Sequence, residues 1–450
     1  MLIEKIKSDG LAHLSYLIGD GGKAAVIDPR RDCEIYVKRA REHGLEITDI
    51  FETHRNEDLI SGAPVLAEMT GAKVWHGPNA DGEVRYAETV REGDCFAFGD
   101  IELRVLETPG HTFDHVCYAI HDKGYEDGAV GVFTGDALFV GDVGRTDFYP
   151  DQAEKVAGLL FDSLRKIEAL GDQAIIYPAH GAGSVCGSGM ASREFSTVGH
   201  ERKNNPRLQI RDRDEFIAAK VAENHYYPPY FNTMERLNLV GGDAAPRIDL
   251  PPVLTLDELA ECDADRVVDV RPITSFAGAH WPGALSLPES MISAFAGWFL
   301  DEDDRLALFA EAEEQAEAAA VHLRRIGYDR LVGVYTGLAP AVAEGKPFAR
   351  IAYVDHETVA ERLDEGRNDW TLLDVRAIDE VEDYAMEGAE HIYVGELNKR
   401  LGELDCDRHY TTMCASGARA TVAAGWLASN GFEHVDIFLG SVGAWRAHHD

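Results

Sequence analysis

The sequence contains no run approaching the ~18 apolar residues that a membrane span needs. Its opening, "MLIEKIKSDG", holds no apolar leader core either, so the expectation is a cytoplasmic chain with no membrane segment. There is no CxxC pair. The seven cysteines, at positions 33, 95, 117, 186, 262, 406 and 414, are scattered and odd in number, which argues against a disulfide scaffold or a structural zinc finger. Lysine is scarce, with 12 among 43 basic residues against 79 acidic ones, and the net charge of -36 repels nucleic acid and anionic membranes. The simplest reading of that acidity is solubility, as in a salty cytoplasm.

The 450 residues, 45% of them hydrophobic, suggest two to four globular domains at about 150 residues each. Two Pro/Gly-rich joints, "VGGDAAPRIDLPP" (Val240 to Pro252) and "AEGKPFARI" (Ala343 to Ile351), mark the boundaries. They predict domains over 1–247, 252–345 and 350–450. The last two repeat one another: "VVDVR" ending at Arg271 recurs 105 residues later as "LLDVR", and "VGVYTG" ending at Gly337 recurs 103 residues later as "VDIFLG". In each copy, short β-branched runs alternate with helical stretches that stop at glycine, "EQAEAAAVHLRRIG" and "ARATVAAGWLASNG". That alternation predicts a parallel sheet with helices on its faces.

In the first domain, four apolar strand-like runs each lead to a metal-type side chain. "DIFETH" delivers His54, "LRVLETPGH" His111, "AVGVFTGD" Asp136 and "QAIIYPAH" His180. Groups just beyond strand ends gather at one edge of a layered α/β sheet, where such folds place their sites. One histidine after a strand is ordinary, but four such endings are not.

"ETH" with Asp58, "TPGHT", "FTGD" and "YPAH" occur in an order that resembles the metallo-β-lactamase fold, which implies an N-terminal αββα sandwich. In dinuclear hydrolases of that fold the first motif reads His-x-His-x-Asp-His. Here Asn56 and Leu59 replace two of its histidines, removing one ligand from each metal position. His54, His111 and Asp136 remain, the composition of the two-His, one-carboxylate triad of non-haem Fe(II) oxygenases, and this matches the iron set of the family's persulfide dioxygenases. The resemblance implies one Fe(II) per chain. Asp58 and His180 are left as supporting or substrate-positioning groups, and "FVGDVGRTD" resembles the same branch and keeps Arg145 and Asp147. Cys186, in the glycine-rich "HGAGSVCGSG", is either a persulfide relay or a plain loop thiol.

Near the end, "YTTMCASGARATVAAGWLASNG" runs from a β-stretch into Cys414 and then a helix. A thiolate there would meet free backbone N–H groups and the positive end of the helix dipole. "CASGARA" with "LLDVR" resembles the rhodanese sulfurtransferases. Four residues separate Cys414 from Arg419, a short loop associated with sulfur transfer, whereas phosphatases of the same fold carry five. The resemblance makes Cys414 the nucleophile, stabilised by Arg419 and the loop amides. The middle copy, with "DVRPITSFAGAHWPGALSLP", places Ala310 where Cys414 stands in the last copy and should be silent.

The domain order resembles persulfide dioxygenase–sulfurtransferase fusions. It implies oxidation of a low-molecular-weight thiol persulfide by O2 to sulfite, sulfane-sulfur transfer to give or use thiosulfate, and a homo-oligomer. Two rivals stand beside it: a zinc-dependent thioester hydrolase of the glyoxalase II type, and a non-catalytic sulfur carrier or sensor.

Overall fold

The computed structural model describes residues 1–449 except 80, 81, 83, 126, 127, 185, 186, 188, 243 and 246. Two compact units divide the chain, Met1–Ile248 with Arg325–Gly327, and Asp249–Arg324 with Tyr328–Asp450. Among the described residues no helix is long and apolar enough to cross a membrane.

The first unit holds two six-stranded mixed sheets face to face. The pattern of its second strand, His13–Asp20, shows why. Successive side chains alternate faces: Tyr16 and Ile18 join the core shared with Leu103, Val105, Tyr118 and Phe133 of the opposite sheet, while Leu17 joins a second core with the helices Glu34–Glu42 and Ala63–Thr70. Both faces are buried, so the strand reads as a nearly continuous apolar run. The helix Ala153–Glu168 covers the outer face of the other sheet through Leu160, Leu164 and Ile167. The result is the expected αββα sandwich. Burying each large apolar side chain contributes about 1.5–3 kcal/mol.

Four strands of this unit lead to the site: β1 (Glu46–Phe51), β2 (Ile101–Glu107), β3 (Gly131–Gly135) and β4 (Ile175–Pro178). β1 belongs to one sheet and β2, β3 and β4 to the other. The groups just past their ends therefore meet at the rim of both sheets.

The second unit contains two parallel sheets, one of four strands and one of five. The first is built around β5 (Arg266–Asp269) and β6 (Leu306–Ala310), the second around β7 (Trp370–Asp374) and β8 (His409–Met413). Helix α1 (Glu313–Arg325) comes after β6 and α2 (Ala418–Ser429) after β8. Each stops just before a glycine with φ near +90°, Gly327 and Gly431, a left-handed geometry that ends a helix without a Cβ clash.

Candidate metal centre and thiol loop

The segment after β1 does not run over the surface. His54, Arg55, Asn56, Glu57, Asp58 and Leu59 are all buried, because the turn is pinned from inside. The Asn238 side-chain amide, on the helix Phe231–Val240, donates to the carbonyls of Asn56 (2.6 Å) and Leu59 (2.8 Å) and accepts from the Ser61 N–H. The Arg55 N–H donates to Asp114 at 3.0 Å. These bonds satisfy backbone groups that burial would otherwise strand.

Held this way, His54 meets His111, which lies four residues past β2, and Asp136, the residue immediately after β3. Asp136 Oδ2 lies 3.9 Å from His54 Nε2 and 3.5 Å from His111 Nε2. Glu57 completes the group, with Oε2 3.7 Å from His54 Nε2 and Oε1 2.6 Å from His111 Nε2. One donor atom from each of the four falls within 4.8 Å of all the others.

The hydrogen bonds behind the two imidazoles set their tautomers. The Thr53 hydroxyl donates to Asp28 at 2.9 Å, so its lone pair accepts from His54 Nδ1–H at 2.8 Å. His111 Nδ1–H donates to the Arg145 carbonyl at 3.0 Å. Both Nε2 atoms then turn lone pairs inward. Burial lowers His54 well below its ordinary value, favouring the neutral ring. His54 Nε2, His111 Nε2 and both Glu57 oxygens are buried without a hydrogen-bond partner. Lone pairs crowded into a dry space call for a cation or a proton among them. Burial opposes a proton on His111, but Glu57 overrides it and raises that imidazole. Imidazole and carboxylate donors without thiolate fit one divalent first-row ion.

His180 and Asp58 lie beside this centre, linked to it through Asp136. His180 Nδ1 lies 2.8 Å from Asp136 Oδ1 and its Nε2 2.8 Å from Asp58 Oδ2. Burial works against its charge, yet the two carboxylates raise it well above its ordinary value. Burial would likewise raise Asp136, but His180, then His54 and His111, hold it well below the carboxylate range. Arg145 offers its carbonyl to His111 and its guanidinium to Asp147 at 2.7 and 2.6 Å. It also lies over the Phe148 ring, and that ring meets His111 edge-on. Cys186 lies outside the described residues.

Sequence reasoning omitted Glu57, Asn238 and His115. His115 accepts the Asp136 N–H through Nε2 at 3.0 Å, and burial pushes it down to about 3. For Glu57 the only sequence signal was an acid three places after His54.

In the second unit, Cys414 comes immediately after β8 and is buried. The Gly417 N–H donates to its sulfur at 3.1 Å, and its own N–H donates to Ser441 Oγ at 3.0 Å. Ser441 carries a strained φ of 47° that lets it sit beneath the loop, with its hydroxyl anchored on the Phe438 carbonyl. The sulfur thus faces the start of α2. Arg419 is engaged elsewhere, with both carboxylate oxygens of Glu380 at 2.5 and 2.7 Å. Burial opposes its charge, but Glu380 overrides it, and the electrostatic reach of Cys414 adds to the rise.

Comparison with known proteins agrees with this architecture. The family model "Metallo-beta-lactamase superfamily" matches residues 8–180. A hydroxyacylglutathione hydrolase from Rhodopseudomonas palustris is 32% identical over 213 residues, 47% of this chain and 73% of the relative. The chain belongs to the metallo-beta-lactamase superfamily. Beyond that superfamily's domain, the rhodanese-like domain model matches twice, at 253–339 and 355–448. Of two other curated relatives the chain spans only 54% and 60% of the length. Among solved structures, a metallo-beta-lactamase from Staphylococcus aureus shares 29% identity over 75% of this chain and 99% of that one, with a TM-score of 0.68. ETHE1 from Myxococcus xanthus shares 30% identity over 54% of this chain and all of that one, with a TM-score of 0.46.

Proposed function

We propose that the superfamily domain oxidises low-molecular-weight thiol persulfides to sulfite at a single ferrous centre, and that the last domain carries sulfane sulfur on Cys414. The supporting observation is the convergence of donor atoms from His54, His111 and Asp136 at one buried point, with both imidazole Nε2 atoms lacking a hydrogen-bond partner and His180 tying Asp136 to Asp58 behind them. A tight zinc pair needs two full donor sets. A ferrous ion held there would supply the one-electron chemistry that dioxygen requires. The overall change balances as RSSH + O2 + H2O → RSH + SO3(2-) + 2 H+.

The chain's residues supply the rest. Thr53 with Asp28, and the Arg145 carbonyl, orient the two imidazoles. His180 fixes Asp136, and Phe148 shields the His111 side from water. At the other site, Gly417 and the start of α2 stabilise sulfur anion on Cys414. A Cys414 persulfide passes its outer sulfur to sulfite, releasing thiosulfate and returning the thiolate. The thiol persulfide, dioxygen, sulfite and thiosulfate, and a self-associated state, all belong to this proposal.

A second reading draws on the hydroxyacylglutathione hydrolase relatives: a glyoxalase II-type hydrolase in which the same donors hold zinc and activate water against a thioester. Oxygen uptake separates the two. With glutathione persulfide, the iron-loaded protein should consume about one O2 per sulfite formed. Hydrolysis of S-lactoylglutathione without O2 uptake from persulfide would establish the second reading instead.

A further inference from the structure

Glu57 is a buried carboxylate that the proposed chemistry leaves unused. Its neighbour Asp58 is balanced by His180, which lies between Asp58 and Asp136. Both carboxylates lack an aligned hydrogen bond, but Asp58 meets one imidazole, whereas Glu57, 2% exposed, faces two. Its close approach to His111 Nε2, at 2.6 Å, lacks the alignment of a hydrogen bond, and His111 already spends Nδ1–H on the Arg145 carbonyl. A carboxylate kept only to pair with an imidazole needs one ring, whereas this one spans two, with one oxygen toward each Nε2.

We propose that Glu57 is a fourth metal-donor residue, so that His54, Glu57, His111 and Asp136 form a two-imidazole, two-carboxylate centre. The inference rests on the reading of the other three as a metal centre. Two carboxylates would balance a divalent ion in a dry site where unbalanced charge is costly. Four chain donors would also leave fewer positions on a six-coordinate ion for substrate and dioxygen than three would.

The test uses full-length protein, stripped of metal and reloaded with ferrous ion under anaerobic conditions, with affinity measured by chelator competition. Loss of a supporting group around a metal site weakens binding about 10–100-fold, so Glu57→Gln, which removes a donor, should weaken it at least tenfold. Loading with ferrous ion should raise the melting temperature of the parent more than that of Glu57→Gln, because tighter binding to the folded state stabilises it more. A purely structural glutamate would shift the metal-free and metal-loaded melting temperatures equally. Glu57→Asp keeps the charge but withdraws the oxygen, and should fall between Glu57→Gln and the parent in affinity. Affinity of Glu57→Gln within twofold of the parent, or an equal melting shift on loading in parent and variant, overturns the proposal. A parent that takes up no ferrous ion overturns the underlying reading of the centre, a different result that the same titration reports.

Discussion

The two copies in the second unit share a scaffold and differ at one strand end. In the first, Arg271 grips Asp269 through Nε and a terminal nitrogen at 2.9 and 2.6 Å; in the second, Arg376 grips Asp374 at 3.0 and 2.6 Å. Both arginines also reach a carbonyl eight residues on, Ala279 and Tyr384. The strand registers agree as well. Asp269 pairs with Phe309 and Asp374 with Met413, so Ala310 occupies the place of Cys414. The "DVR" signature is therefore a structural fork that ties a strand to the loop after it, and the chemistry rests on the residues just past the neighbouring strand. A repeat detected through its best-matching segment thus says nothing about whether its active loop is present.

The sharpest break between the copies is Cys414→Ser. A hydroxyl has nearly the shape of the thiol but cannot carry sulfane sulfur, so thiosulfate-dependent sulfur transfer should fall by more than ~100-fold while the melting temperature stays put. The variant should still consume O2 with a supplied persulfide and accumulate sulfite. Thiosulfate formation at the parent rate would shift attention to another thiol, with Cys186 first.

The shared scaffold can be tested with Asp269→Ala and Asp374→Ala. Each leaves a guanidinium, 3% exposed, without its partner, and removing one member of a buried pair costs about 3–5 kcal/mol. Denaturant unfolding should show a similar loss for both. A loss under about 1 kcal/mol in the first copy would mean that its fork is decorative.

Much of this was legible in the chain. Strand and helix periods, the four strand ends and the duplicated segments all arise from local patterning, and the structure brings His54, His111, Asp136 and His180 together as those endings imply. What was not legible depends on distant partners. Glu57 sits in a polar turn that would ordinarily face solvent, and its burial depends on Asn238, 182 positions from Asn56. The capture of Arg419 by Glu380, 39 positions away, is of the same kind. A sequence reading gives Arg419 to the sulfur because the two are close in the chain.

That ion pair offers a smaller test, since the first copy has Glu314 and Gln315 in that stretch and no cation to pair. Burial tends to raise the Glu380 carboxyl, but Arg419 overrides it and holds it below its ordinary value of 4.5. A carboxyl depressed in the folded state stabilises above its unfolded value, and that contribution is lost as pH falls through the folded one. Glu380→Gln should therefore cost about 1 kcal/mol at neutral pH and progressively less below pH ~4.5. Unfolding midpoints that stay equally far apart across that range would contradict the assignment.

The smallest expected effect is the most informative about the comparison. Placing a thiol in the first copy, Ala310→Cys in a Cys414→Ser background, should not create sulfur transfer. Only Glu311 and Ala312 separate Ala310 from α1, against three residues between Cys414 and α2. The Glu311 N–H already donates to Gln315 at 2.9 Å, whereas Gly417 turns its N–H to the Cys414 sulfur. The first turn of α1 also carries Glu313 and Glu314, which set negative charge where a thiolate needs positive potential. Because Ala310 is fully buried, the added sulfur should itself cost about 1–3 kcal/mol. The variant should alkylate far more slowly than Cys414 in the parent and show no turnover above the Cys414→Ser background. Turnover above that background would mean that strand position alone, without the glycine loop and helix start, is enough to make a sulfur-transferring cysteine.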